Sequence, residues 1–216
     1  ADPDSTTATG GTTGTNTNAG TTTGTTGNTV DAKTATITNF NAQWAVDAKG
    51  RATATIRVDM NLPSTVTQLD FPIGNGVNAQ LSGYSDVETV DITDGKALRL
   101  VADPGFTGVQ TFTLSYAVEN AIKVTETGQK LELDLMAPGW AWPMEQASFT
   151  LTMPAVFTGE PTYVGGYYAD LVADYMTLEQ TDTTITGTYK EPLRDHESLK
   201  ISLDLPAEYI TIRSAS

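Results

Sequence analysis

From Ala32 onward, apolar and polar residues alternate with period two in run after run. This pattern restricts the chain to strands with one buried face, because a helix would scatter the same residues around its circumference. Arg51–Met60 carries it most fully. Ala52, Ala54, Ile56, Val58 and Met60 fall on one face, and Arg51, Thr53, Thr55, Arg57 and Asp59 on the other. The preceding Asp47-Ala48-Lys49-Gly50 is a turn sequence, in which Gly50 can supply a positive φ. Phe40–Val46 and Arg51–Met60 are therefore predicted to pair as a hairpin. Further runs are Val66–Phe71, Val77–Leu81, Val87–Ile92, Ala97–Ala102 and Val109–Val118, with turns at Asp94-Gly95 and Pro104-Gly105. Lys130–Met136, Ala147–Met153 and Leu199–Leu205 continue the pattern. The best helical candidate, Tyr167–Met176, is short and follows Gly165-Gly166.

Many short strands separated by Gly, Pro and Asp turns predict an all-β protein. The expected architecture is two consecutive antiparallel β-sandwich domains of Ig-like type, over residues 32–137 and 138–216. The aromatic corner Ala137–Pro143 marks their boundary; one continuous sandwich with a long insertion is the alternative. Residues 1–31 stand apart. The first thirty contain 13 Thr and 6 Gly, with no aromatic residue and no Lys or Arg. Such a segment buries too little apolar surface to offset the entropy of ordering it, and is read as a disordered, low-complexity linker or stalk. Its start, Ala1-Asp2-Pro3, reads as a processing remnant.

A net charge of −14 argues against nucleic acid and anionic lipid headgroups as partners. The chain has no cysteine, which removes disulfides, thiolate metal sites and a Cys nucleophile. No apolar run reaches the ~18 residues that a membrane helix requires.

Candidate chemistry is sparse. His196, the single histidine, lies in Arg194-Asp195-His196-Glu197. It lacks the second His or a Cys that a metal site would use, and is read as a solvated loop residue. Asp91-x-x-Asp94-Gly95 does not meet the ligand spacing of a calcium loop and is read as a β-turn. Glu132 and Asp134 share one strand face; a hydrolase using them would need a cleft and a raised carboxyl pKa. No nucleophile elbow, zinc-helix motif or phosphate loop occurs, so the reading is not an enzyme, with no cofactor and no metal. The most informative cluster is Trp140 and Trp142, with Tyr163, Tyr167 and Tyr168 downstream. Such rings stack on sugars and anchor protein interfaces. They are the candidate binding residues; the competing role is to plug the seam between the two sandwiches.

In order along the chain stand FNAQWAVDAKGRATATIRV, Gly108 ahead of the strand Thr111–Val118, LELDLM, PGWAWPM and ASFTLTMP. Tyr163–Gly166 and ESLKISLDLPAEY complete the series. This series, over most of residues 35–212, resembles the N-terminal ectodomain of the YciQ-type predicted bacterial membrane proteins, a family of unknown function. One departure is Leu135-Met136, where the family tends to carry Trp-Asn. The resemblance implies an extracytoplasmic domain that precedes transmembrane helices absent from this chain. It brings no catalytic residues with it.

The expected function is a non-catalytic extracytoplasmic module of a membrane-anchored surface protein, serving structure, adhesion or protein interaction. The expected source is a bacterium, of Gram-positive type. Its partner would be a protein or glycan at the cell surface. The alternative is a carbohydrate-binding module built on Trp140 and Trp142.

Overall fold

The computed structural model describes residues 35–165 and 170–212. The Thr/Gly-rich segment, Tyr167 and Tyr168 lie outside them.

The alternating runs do become strands. β1 (Thr36–Val46) and β2 (Ala52–Gly74) pair antiparallel from Thr36↔Asn61 to Val46↔Ala52. The turn between them is held by the Asp47 side chain, whose Oδ1 accepts from the Lys49 and Arg51 amides at 2.8 and 3.0 Å. Gly50 takes φ +81° there. β3 (Val77–Leu81) and β4 (Val87–Ile92) both pair with β5 (Gly95–Val118), at opposite ends of that strand.

β2 and β5 are longer than the sequence runs predict. Val66–Phe71 and Ala97–Ala102 are not separate strands; they are the far halves of β2 and β5. The two strands stay paired from Ala52↔Val118 to Gly74↔Lys96, through register shifts around Leu62, Val66 and Pro72. Pro104-Gly105, predicted as a turn, lies inside β5 beside these shifts. Irregular pairing of this kind tolerates Pro63 and Pro104, which cannot donate to a ladder.

The remaining strands are β6 (Ile122–Thr125), β7 (Gly128–Met136), β8 (Ala147–Thr152), β9 (Thr162–Gly165) and β10 (Asp170–Leu171). A 3₁₀ turn at Ala173–Tyr175 leads into β11 (Met176–Gln180), β12 (Thr184–Tyr189) and β13 (Leu199–Leu205). The described residues of the predicted helical candidate form β10, that turn and the start of β11, with no α-helix among them.

The strands form two sheets. The larger runs β11-β12-β8-β1-β2-β5-β3, with β4 also on β5; the smaller runs β10-β9-β13-β7-β6. The all-β class therefore stands, but the expected pair of consecutive Ig-like sandwiches is replaced by two sheets that each draw strands from both sides of Ala137. β8 lies parallel to β1, with Trp44 opposite Leu151, and β13 lies antiparallel to β7, with Ile201 opposite Leu133. Residues 138–216 thus complete sheets begun by residues before 137, which removes the division at 137/138.

The reason is apolar matching between segments remote in sequence. Inward faces of both sheets enter one hydrophobic cluster that includes Phe40, Trp44, Ile56, Phe112, Leu133 and Ile201. Size is matched within it, since Trp44 stands opposite Ala54. Strands from both sides of Ala137 bury their apolar faces in that cluster.

Candidate functional site

The corner between β7 and β8 is built by local chemistry. Gly139 takes φ +108°, and a Cβ there would lie 2.8 Å from Cδ1 of Ile92. Only glycine fits this conformation and approach. The segment is then fastened to β1: the Ile37 amide donates to the Pro143 carbonyl at 2.9 Å, and the Glu145 amide to the Ile37 carbonyl at 2.8 Å.

These bonds turn the tryptophans inward. Trp140 is 0% exposed and Trp142 2%. Trp140 meets Phe40 edge to face at 5.2 Å between centroids, and Phe71 and Trp142 at 6.2 and 6.3 Å. Trp142 lies 6.3 Å from Phe71. Both rings pack on the inner side of the larger sheet. Their indole N–H groups have no hydrogen-bond partner among the described residues. Tyr163, on β9, is 4% exposed and packs on Phe149 at 6.1 Å. Burial pushes its phenol up to about 12.

A stacking site for sugars needs an open ring face, and Trp140, Trp142 and Tyr163 have none. This corrects their reading as surface binding residues. All three lie in the one hydrophobic core, where the ring partner of Tyr163 is Phe149 rather than either tryptophan. Tyr167 and Tyr168 lie outside the described residues.

His196 is exposed and takes φ +60°. Its amide donates to the Trp140 carbonyl at 2.6 Å, so it braces the corner through its backbone. Its Nδ1 lies 3.1 Å from Asp195 Oδ2. Asp94-Gly95 forms the turn between β4 and β5, with Ile92 opposite Gly95. Among the described residues no three metal-ligating side chains gather.

The two strand carboxylates have a less ordinary setting. Glu132 and Asp134 project from the face of β7 opposite Leu131, Leu133 and Leu135, as period two requires. That face is not fully open. The ends of β2 and β5 approach it and leave a cleft of about 110 Å³, bordered by Tyr116, Glu119, Lys123, Glu132, Asp134 and Lys200 among others. Burial pushes the Asp134 carboxyl above its ordinary range; the Lys200 charge opposes this and the Glu132 charge adds to it. Lys200 stands directly across from Asp134 in the β13–β7 register. Burial also raises the Tyr116 phenol, with the charge of Asp134 adding to the effect. Glu132 is engaged by Lys130 at 3.2 Å, and Glu119 by Arg51 at 2.9 Å.

Chemically, the cleft brings together one shielded carboxyl, a phenol and two ammonium groups. Glycoside hydrolysis places two carboxyls on either side of a scissile bond. Here both stem from one strand face two residues apart, and one is tied to a lysine. The arrangement suits holding charged groups better than cleaving a bond between them. Sequence reading found Glu132 and Asp134 but missed Tyr116, Lys123 and Lys200. The available signal was the polar parity of Lys200 between Leu199 and Ile201, which does not reveal its partner strand.

A family model described as the N-terminal domain of a predicted membrane protein (DUF2207) matches residues 36–203. No curated protein matches the sequence. Among solved structures, yeast leukotriene A4 hydrolase in complex with bestatin is similar in fold, with a TM-score of 0.51 and 8% identity. The likeness covers 81% of this chain and 29% of the hydrolase. The native enzyme from Saccharomyces cerevisiae gives a TM-score of 0.50 at 7% identity, over 80% of this chain and 30% of that one. The chain therefore spans less than a third of the length of these structures, and the likeness is one of fold alone.

Proposed function

The chain belongs to the DUF2207 family of predicted membrane proteins, as its N-terminal domain, and from that membership we propose that it is a non-catalytic extracytoplasmic module that binds a protein partner. The supporting observation is the outer face of the larger sheet. One rank across it reads Thr186, Thr150, Gln43, Thr55, Ser115, on β12, β8, β1, β2 and β5. The next reads Thr188, Ser148, Asn41, Arg57, Thr113. At ~4.8 Å between strands, each rank extends for roughly 19 Å.

These ten positions include a single charge, on a chain whose net charge is −14. Depletion of charge is one mark of the centre of a protein interface. Neighbouring groups already bond across the strands, as Asn41 Nδ2 does to Ser148 Oγ at 2.9 Å. The glycan alternative loses Trp140 and Trp142, whose rings are in the core. The reaction of the hydrolase named among the similar structures gives no residue of this chain a role.

The cysteine-free sequence permits a clean test. A single cysteine at Thr150 in the full-length protein should react with a membrane-impermeant maleimide on intact cells. Labelling only after lysis would refute the outward placement. A photo-crosslinker at Gln43 should give a discrete protein adduct that Thr55→Lys and Thr150→Lys abolish; an adduct indifferent to both would refute the docking face.

A further inference from the structure

We propose that the cleft between the ends of β2 and β5 and the polar face of β7 binds a small zwitterion, a molecule carrying an ammonium group and a carboxylate a few atoms apart. This reading is independent of the outer sheet face.

Some of the charges on the cleft are already matched. Of the three carboxylates on the cleft, Glu132 has Lys130 at 3.2 Å and Glu119 has Arg51 at 2.9 Å. Asp134 has neither an ion pair within 4.0 Å nor a hydrogen-bond donor among the described residues, although it is only half exposed. Lys123 and Lys200 border the same cleft and likewise form no ion pair within 4.0 Å among the described residues. A half-buried carboxylate without a donor is costly, and an ammonium group is the partner that offsets the cost best.

Tyr116 is a separate observation. It is 3% exposed and lines the cleft, and its hydroxyl has no hydrogen-bond partner among the described residues. A buried phenol that reaches a cleft in this way can donate to a carboxylate or accept from an ammonium group. The ring itself is fixed, since it meets Trp44 edge to face at 5.5 Å. Tyr116 is therefore held on a rigid element, as binding groups are when geometry matters.

Size and charge select the ligand class. The cleft of about 110 Å³ has room for several water-sized groups. That admits a molecule of a few heavy atoms. A cation alone would satisfy Asp134 and be repelled by two lysines, and an anion alone would do the reverse. A zwitterion with its ammonium group on Asp134 and Tyr116, and its carboxylate on Lys200 and Lys123, matches both sides. The raised carboxyl of Asp134 agrees with this, because burial is its first cause and outweighs the opposing charge of Lys200.

The test is an amide-resolved NMR titration of the 216-residue chain with L-alanine, using acetate and methylammonium as single-charge probes. The expected result is saturable shifts at Asn75, Asn120 and Lys123, with alanine binding at least tenfold tighter than either probe. Asp134→Asn and Lys200→Gln should each weaken alanine at least fivefold, while Lys190→Gln, just after β12 toward the other edge of the larger sheet, should not. Either cleft variant suffices if the other loses its dispersed spectrum. The proposal is overturned if alanine gives no saturable shift, if acetate or methylammonium binds as well, or if a folded cleft variant binds alanine unchanged. Closure of Lys200 on Asp134 as an internal ion pair would appear as the first of these results.

Discussion

Trp44 and Leu135 are joined across the two sheets. The indole Nε1–H of Trp44, on β1, donates to the carbonyl of Leu135, on β7, at 3.1 Å, and both residues are buried. This bond satisfies a core donor and fixes how one sheet sits on the other. Trp44→Phe keeps most of the apolar packing but strands the Leu135 carbonyl. The expected loss is about 1–3 kcal/mol, read from the urea midpoint. A variant as stable as wild type would show that the bond does not hold the sheets in register.

The corner tryptophans give a different ordering. Trp140→Ala should cost about 3–5 kcal/mol, the range for deleting a large buried ring. Trp140→Phe should cost much less, because the Trp140 indole N–H has no partner to lose among the described residues. Thermal or urea unfolding of the two variants distinguishes this core role from a surface role, in which neither substitution would change the midpoint by more than about 0.5 kcal/mol.

Gly139 is the hinge of that corner. Alanine there meets an unfavourable φ and the Ile92 side chain together. Gly139→Ala should lower stability by more than the ~1 kcal/mol that separates alanine from glycine at unstrained sites. Its unfolding midpoint, set beside Gly83→Ala, checks this. Gly83 also has a positive φ but has nothing near its missing Cβ, so the difference between the two isolates the contact with Ile92.

Asp134 predicts a pH dependence with a definite sign. Its folded carboxyl lies above the ordinary value of 3.8, so over that window the native state holds the proton more tightly than the unfolded state does. Stability therefore falls as pH rises from 3.8 through the raised folded value, and the loss is complete above it. Asp134→Asn removes the titration. Its stability relative to wild type should rise across the same window and then level off. A constant difference between the two from pH 3 to pH 8 would contradict the shielding of Asp134.

Strand content was legible because period two is a local property. The face assignment of Arg51–Met60, the Asp47–Gly50 hairpin and the inward rows of β7 and β13 all follow from parity. Strand length was harder to read. Pro63 and Pro104-Gly105 look like breaks, yet β2 and β5 run past them because the partner strand absorbs the irregularity. The sheet partners of β8 and β13 were not legible, since pairing joins residues a hundred positions apart, such as Asn41 and Ser148. Misplacing those two strands produced the expectation of two domains.

The same division applies to the sites. Alternation by itself determined that Glu132, Asp134 and Lys200 would lie on polar strand faces, and that the chain would be all β. It also determined that the PGWAWP corner would be a turn rich in rings, because glycine and proline act on their own backbone. Only the tertiary structure decided where those rings point and what the charged residues meet. Trp140 and Trp142 went inward because the inner face of the larger sheet offered Phe40 and Phe71. Asp134 and Lys200 became neighbours because β13 closes on β7, and Tyr116, at the end of β5, borders the same cleft. Burial and proximity are properties of several strands at once, and no single stretch of sequence carries them.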